Sequence, residues 1–156
     1  KKYKKEILWN YEDRYSPQVH IKNGHINVKN NITFLYQRDA LKLFGYQSNS
    51  HLQRGWWNIK GTDKAVWFPK LYPNKQWKNA VTQDGLTITQ ERIIDDGKKY
   101  ITDDTKRIVF AHYKNILGQT VYKFYGMYEV DFKKSTENKQ IFNRITRKLD
   151  LNKIRS

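Results

Sequence analysis

The chain has 156 residues, enough for one domain with a real core, and carries 30 Lys and Arg against 15 Asp and Glu, a formal net charge of +15. That excess favours a polyanionic partner, nucleic acid first and an anionic membrane surface second. There is no Cys, which excludes a disulfide scaffold and any thiolate metal site, and no apolar run approaches the length that spans a bilayer. No apolar signal segment opens the chain, and it begins Lys-Lys-Tyr-Lys-Lys without Met. The expectation is a cytoplasmic protein that is a piece of a longer chain or a processed form.

Residues 1–30 read as a basic N-terminal extension or ribbon. Lys1, Lys2, Lys4 and Lys5 make its cationic end, and Ile7, Leu8, Trp9 and Tyr11 are its anchors. A strand pair, Gln18 to Lys22 and His25 to Lys29, is expected to turn at Asn23-Gly24. Further on, Ala40, Leu41 and Phe44 recur at helical spacing, so a short helix is expected over 38–44, stopped by Gly45. Residues 47–55 are polar and loop-like.

Four of the five tryptophans follow: Trp56, Trp57, Trp67 and Trp77. Lys60, Lys64, Lys70, Lys75 and Lys78 are interleaved with them. Residues 56–59 and 65–68 read as strands joined through Lys60-Gly61-Thr62-Asp63. Pro69 and Pro73 then force irregular backbone, so residues 70–80 read as a loop carrying Tyr72 and Trp77. Asp84-Gly85 is a turn, Leu86 to Ile94 alternates as a strand, and Asp95-Asp96-Gly97 is another turn.

Residues 107–132 hold the strongest pattern in the chain. Two apolar and aromatic runs flank the polar link 114–119, the signature of an antiparallel hairpin. Tyr122, Phe124, Tyr128, Val130 and Phe132 share one parity with Gly126, and side chains alternate across a strand. The first run is apolar on both parities and belongs in the centre of a sheet. Gly126 inside a strand implies a bulge, a barrel corner or a close backbone approach. Residues 133–156 read as a basic C-terminal helix packed on the core, with Ile141, Phe142, Ile145 and Leu149 as its apolar stripe.

Several kinds of chemistry are absent. His20, His25, His51 and His112 are scattered, so no metal-ligand spacing falls within one element. Phosphate-loop and dinucleotide glycine patterns are missing. Asp84, Glu91, Asp95, Asp96, Asp103 and Asp104 are the carboxylates a small metal-dependent nuclease would draw on, but Asp beside Gly is ordinary turn chemistry.

What is present is aromatic and cationic density over residues 54–78. Lysine and arginine neutralise phosphates, and aromatic faces stack on unpaired or extruded bases. Adjacent Trp56 and Trp57 point to opposite faces of a strand, so only one can line a pocket. The base-binding candidates are Trp77, Tyr72, Trp56 and Trp57, with Asn79, Gln90 and Arg54 for the base edge. The phosphate-binding candidates are Lys60, Lys70, Lys75, Lys78 and Arg92.

A family resemblance joins these readings. Arg107-Ile-Val-Phe110, Gly118 and Tyr122-Lys-Phe-Tyr-Gly126-Met-Tyr128-Glu-Val130 resemble a strand pair of PUA-like domains. The likeness is to the SRA-related readers attached to modification-dependent restriction enzymes. Trp77-Lys-Asn79 with Asp84-Gly85-Leu-Thr-Ile-Thr-Gln90 is similar to the segment upstream of that pair. Tyr36 to Tyr46 resembles the short helix that opens such modules in helicase- and nuclease-linked proteins. The likeness covers residues 32–132, and no base-recognition residue of the family is matched one to one. It implies an α+β fold: a curved, mostly antiparallel PUA-like β-barrel core over residues 31–132 with a few flanking helices. It also implies no cofactor, no catalytic residue and a recognition role on double-stranded, modified DNA, with a nuclease or helicase domain fused or associated. The rival readings are an RNA-binding module of the same fold, a small metal-dependent nuclease, and a partner-docking domain whose charge serves solubility.

Overall fold

A computed structural model describes residues 16–50, 52–72, 74–93 and 102–154. The cationic N-terminal end with its aromatic anchors, His51, Pro73 and the Asp95-Asp96-Gly97 turn lie outside the described residues.

The first described element is a helix, α1 (Pro17–Asn23), where a strand was expected. Its ends explain it. The Ser16 hydroxyl accepts from the Gln18 N–H at 3.3 Å, and Pro17 sits in the first turn, where its missing N–H costs nothing. Gly24, at φ +79°, caps the helix by donating its N–H to the His20 carbonyl at 2.9 Å. The left-handed conformation that makes Asn-Gly a hairpin signal thus serves a helix stop instead. β1 (His25–Asn27) then pairs with β10 (Lys148–Asp150), antiparallel, with Ile26 opposite Leu149. Both side chains are buried, so this ribbon is part of the core rather than peripheral.

A single 3₁₀ turn over Val28–Asn30 leads to β2 (Thr33–Phe34), which pairs with β8 (Thr120–Val130). α2 (Gln37–Lys42) is the expected short helix, carried through Leu43 to Gly45 by tight turn bonds. Its Ala40 and Leu41, with Leu43 and Phe44, cover one face of the sheet.

The large sheet runs β3 (Trp56–Asn58), β4 (Lys64–Trp67), β7 (Lys106–Lys114), β8, β9 (Lys139–Thr146), β6 (Thr87–Arg92), β5 (Trp77–Val81). Among the described residues only the β4–β7 pairing is parallel. The architecture is α+β and mostly antiparallel, as expected. Among the described residues the ladder does not close into a barrel, because β3 and β5 are free ends of the path. A flat sheet would hold those ends about 29 Å apart at the usual strand spacing. Trp56 and Trp77 nonetheless line one cavity, so the sheet curls strongly.

The expected C-terminal helix is instead β9 and β10. Ile141, Phe142 and Ile145 fit a helical stripe, but Gln140 and Phe142 are buried while Ile145 is exposed. Pairing on both sides, with β8 and with β6, overrides the local pattern, and β-branched Ile141, Ile145 and Thr146 suit a pleated surface.

The β7–β8 hairpin is where the sequence places it, and β7 is central. Val109 lies opposite Gly126 and Phe110 opposite Phe124, so Tyr125 is the extra residue of a bulge. Gly126 has φ +108°, and a Cβ there would stand 2.6 Å from the Thr146 carbonyl oxygen. Bulge and close approach occur together. Phe132, expected to share the buried parity, lies past the end of β8 and is exposed.

Candidate base pocket and its cationic surround

A cavity of about 610 Å³ opens where the two ends of the sheet meet. Its lining includes Arg54, Trp56, Lys70, Trp77, Asn79 and Gln90, half of the residues singled out in the sequence. The alternation of β3 separates the adjacent tryptophans. Trp56 faces the cavity, while Trp57 packs on the core with its ring 6.1 Å from that of Tyr46. Trp57 thus packs against the core and is not part of this lining. Tyr72 is exposed and not part of the lining. Lys60, Lys75, Lys78 and Arg92 also lie outside it.

Trp77 does not sit in an irregular loop; it opens β5. The preceding residues pin it there: Asn74 Oδ1 accepts from the Trp77 N–H at 3.0 Å, and the Asn74 N–H donates to the Trp77 carbonyl at 2.8 Å. Arg92 lies opposite Trp77 in the ladder and sets its guanidinium 5.7 Å from the ring centroid. Two residues on, Asn79 is 5% exposed and lies opposite Gln90, which lies opposite Gln140. Three amides thus run across β5, β6 and β9. Asn79 Oδ1 is buried with no partner among the described residues. A buried acceptor left open costs free energy until a donor arrives.

Behind the wall, Arg107 is boxed by aromatic rings. Its guanidinium carbon lies 4.8 Å from the Trp56 ring centroid, 4.6 Å from Trp67 and 4.2 Å from Phe142. Burial lowers its pKa to about 10, partly offset by the Asp103 carboxylate, so it stays cationic at neutral pH. It fixes two rings that line the cavity from behind.

The sequence did not point to Gln37, Gln53, Gly55, Trp67, Phe68, Asn74, His112 or Tyr122 as lining residues. His112 and Tyr122 face each other across β7 and β8, with ring centroids 4.9 Å apart. Burial first, then the Lys70 charge, lowers the His112 pKa against a hydrogen bond with the Phe68 backbone, so the ring is neutral at pH 7.

A family model for the SET and RING associated domain, SRA, matches residues 19–151. The chain belongs to the SRA family. No curated protein matches it. Among solved structures, the SRA chain is similar to the 5-hydroxymethylcytosine-specific restriction enzyme AbaSI, at 31% identity and a TM-score of 0.77. That match covers 91% of this chain and 47% of the enzyme, so this SRA chain spans about half of the enzyme's length. The resemblance to SRA-related readers of restriction systems is therefore borne out. It extends further than the sequence suggested, taking in α1 and the C-terminal strands.

Three further features of the SRA chain complete its description. Among the described residues no group of three His, Asp or Glu side chains is placed to hold a metal ion. Asp84 is engaged as a turn residue, its Oδ1 accepting from the Thr82 hydroxyl at 2.7 Å and the Leu86 N–H at 3.0 Å. Among the described residues no helix is long and apolar enough to cross a membrane.

Proposed function

We propose that this SRA domain is a DNA-reading module that takes one modified base, extruded from the duplex, into the cavity between the ends of its sheet. The observation that carries the reading is the composition of that cavity. Aromatic walls (Trp56, Trp77), base-edge amides (Asn79, Gln90) and cations (Arg54, Lys70) converge on a space of about 610 Å³. That size falls within the range of pre-formed ligand sites. In this reading Trp77 and Trp56 stack on the base, and the open Asn79 acceptor takes a donor such as the exocyclic amine of cytosine. Gln90 supplies a second edge contact. Arg54 and Lys70 hold the flanking phosphates, and Lys60, Lys75, Lys78 and Arg92 form the outer phosphate track.

The similar enzyme is specific for 5-hydroxymethylcytosine, which makes a 5-modified cytosine the first candidate substrate. The module would act as the recognition part of a larger restriction or defence protein, with cleavage supplied by a nuclease domain. A binding screen tests this. Duplexes carrying cytosine, methylcytosine or hydroxymethylcytosine at one site, and the matched RNA, are compared at fixed salt. The expected result is tighter binding to one modified DNA. Equal affinity for all duplexes, or a preference for RNA, overturns the proposal.

A further inference from the structure

A second cavity, of about 510 Å³, shares no lining residue with the first. Lys29, Lys123, Arg144 and Arg147 line it against one carboxylate, Asp84. Its Oδ1 accepts from the Thr82 hydroxyl and the Leu86 N–H, and these bonds, with a smaller contribution from the Arg144 charge, hold the carboxyl below its usual range.

Arg144 is the fixed member of the set. Its Nη1 donates to the Tyr125 carbonyl and its Nη2 to the Asp84 carbonyl, each at 3.2 Å. Two glycines clear the space it occupies. A Cβ on Gly85 would stand 2.8 Å from Nη1, and one on Gly126 would stand 2.8 Å from Cδ. The Tyr128 hydroxyl anchors the same turn by donating to the Gly85 carbonyl at 2.5 Å. Among the described residues no carboxylate forms an ion pair with Arg144. Carbonyl oxygens seat a guanidinium without neutralising it, so its charge stays available to an anion, although its Nε–H is buried with no partner among the described residues. Asn31, on the same wall, holds the left-handed conformation at φ +52°. There it closes the 3₁₀ turn, its N–H donating to the Val28 carbonyl at 3.2 Å, which fixes this wall of the cavity.

We propose that this cavity is a second anion site, which grips a phosphodiester of nucleic acid away from the base pocket. Arg144 is its preset anchor, and Lys123 and Arg147 are its adaptable contacts. The inference rests on the domain being a DNA binder, but it does not depend on which base is read.

The test uses the full chain, inorganic phosphate, and an unmodified DNA duplex. Titration of phosphate, followed by amide chemical shifts, is expected to move Lys29, Asn31, Gly85 and Arg147. The Lys123→Ala, Arg147→Ala double variant spares the seated arginine and is expected to fold. Its log-affinity for the unmodified duplex should fall less steeply with log salt, by roughly one to two units. Any preference of the parent for a modified base should survive in it. Unchanged duplex affinity and salt slope overturn the proposal, and phosphate shifts without a DNA effect reduce the cavity to a free-anion site, which also overturns it. If the screen for modified bases fails while the double variant still flattens the slope, the base-reading proposal falls and this one stands.

Discussion

Tyr128 shows how one buried side chain sets the behaviour of the fold at high pH. Its ring is fully buried, and its hydroxyl donates to the Gly85 carbonyl. Burial pushes the phenol up to about 12, opposed in part by Arg144. The unfolded phenol ionises near 10, so between pH 10 and 12 the folded state holds the proton that the unfolded state has lost. The stabilisation is complete below pH 10 and is lost as pH rises toward 12, up to about 3 kcal/mol. Arg107, with its pKa lowered to about 10, contributes in the opposite sense over the same range, so the Tyr128 effect is read as the parent's loss of stability relative to Tyr128→Phe in urea melts at pH 8, 10 and 11. Tyr128→Phe should be less stable at pH 8, by about 1–2 kcal/mol for the lost hydrogen bond, with a shallower alkaline decline. Equal declines in both proteins would assign the pH dependence to another group. At the pocket, Trp77→Ala should leave the fold intact, because the ring is only half-buried at the start of an edge strand. Affinity for the preferred DNA should fall by roughly 1–3 kcal/mol while salt-dependent binding persists. A melting temperature that collapses together with binding would make Trp77 a structural ring.

At the scale of elements, the β7–β8 hairpin is organised around one glycine. Gly126→Val puts a branched side chain at φ +108°, against the Thr146 carbonyl and Arg144. Strain and overpacking add, so the loss should reach roughly 3 kcal/mol or more, read as a drop in the denaturant midpoint or a failure to fold. A variant that melts like the parent would show that the bulge can relax. This hairpin was legible because both of its strands alternate cleanly over many residues and its link is polar. The C-terminal strands were not. Ile141, Phe142 and Ile145 fit a helical stripe as well as a pleat, and only pairing with β6 and β8 decides between them. α1 failed for a related reason, since a glycine at positive φ ends a helix as readily as it turns a hairpin. The pocket was half legible. Chain proximity found Trp56, Trp77, Asn79 and Gln90, which lie on or beside one hairpin and one edge. It missed Gln37, His112 and Tyr122, which three separate elements bring to the same space, and no local signal marks them.

For the whole molecule, the question is how a charge of +15 is spread. Surface cations raise affinity for any polyanion in proportion to the phosphates they neutralise, so charge alone gives strong salt dependence without selectivity. In the proposed reading selectivity comes from the cavity, where the buried Asn79 acceptor has no partner among the described residues. The two contributions are separable. Lys75 and Lys78 flank Trp77, and both are exposed, but Lys78 lies opposite Glu91 in the β5–β6 ladder. Opposite charges placed across a ladder attract, so Lys75, with no carboxylate opposite it among the described residues, should carry more of the binding. The Lys75→Ala, Lys78→Ala double variant should flatten the plot of log affinity against log salt by roughly one to two units, and Lys75→Ala alone should supply the greater part. The ratio of affinities for modified and unmodified duplex should stay at the parent value, because neither lysine lines the cavity. Fluorescence anisotropy with both duplexes across a salt series measures the slope and the ratio together. A slope equal to the parent's would place the phosphate track elsewhere on the surface. A ratio that falls with the slope would mean that these lysines help to hold the base pocket in shape, and that charge and selectivity are coupled in this domain.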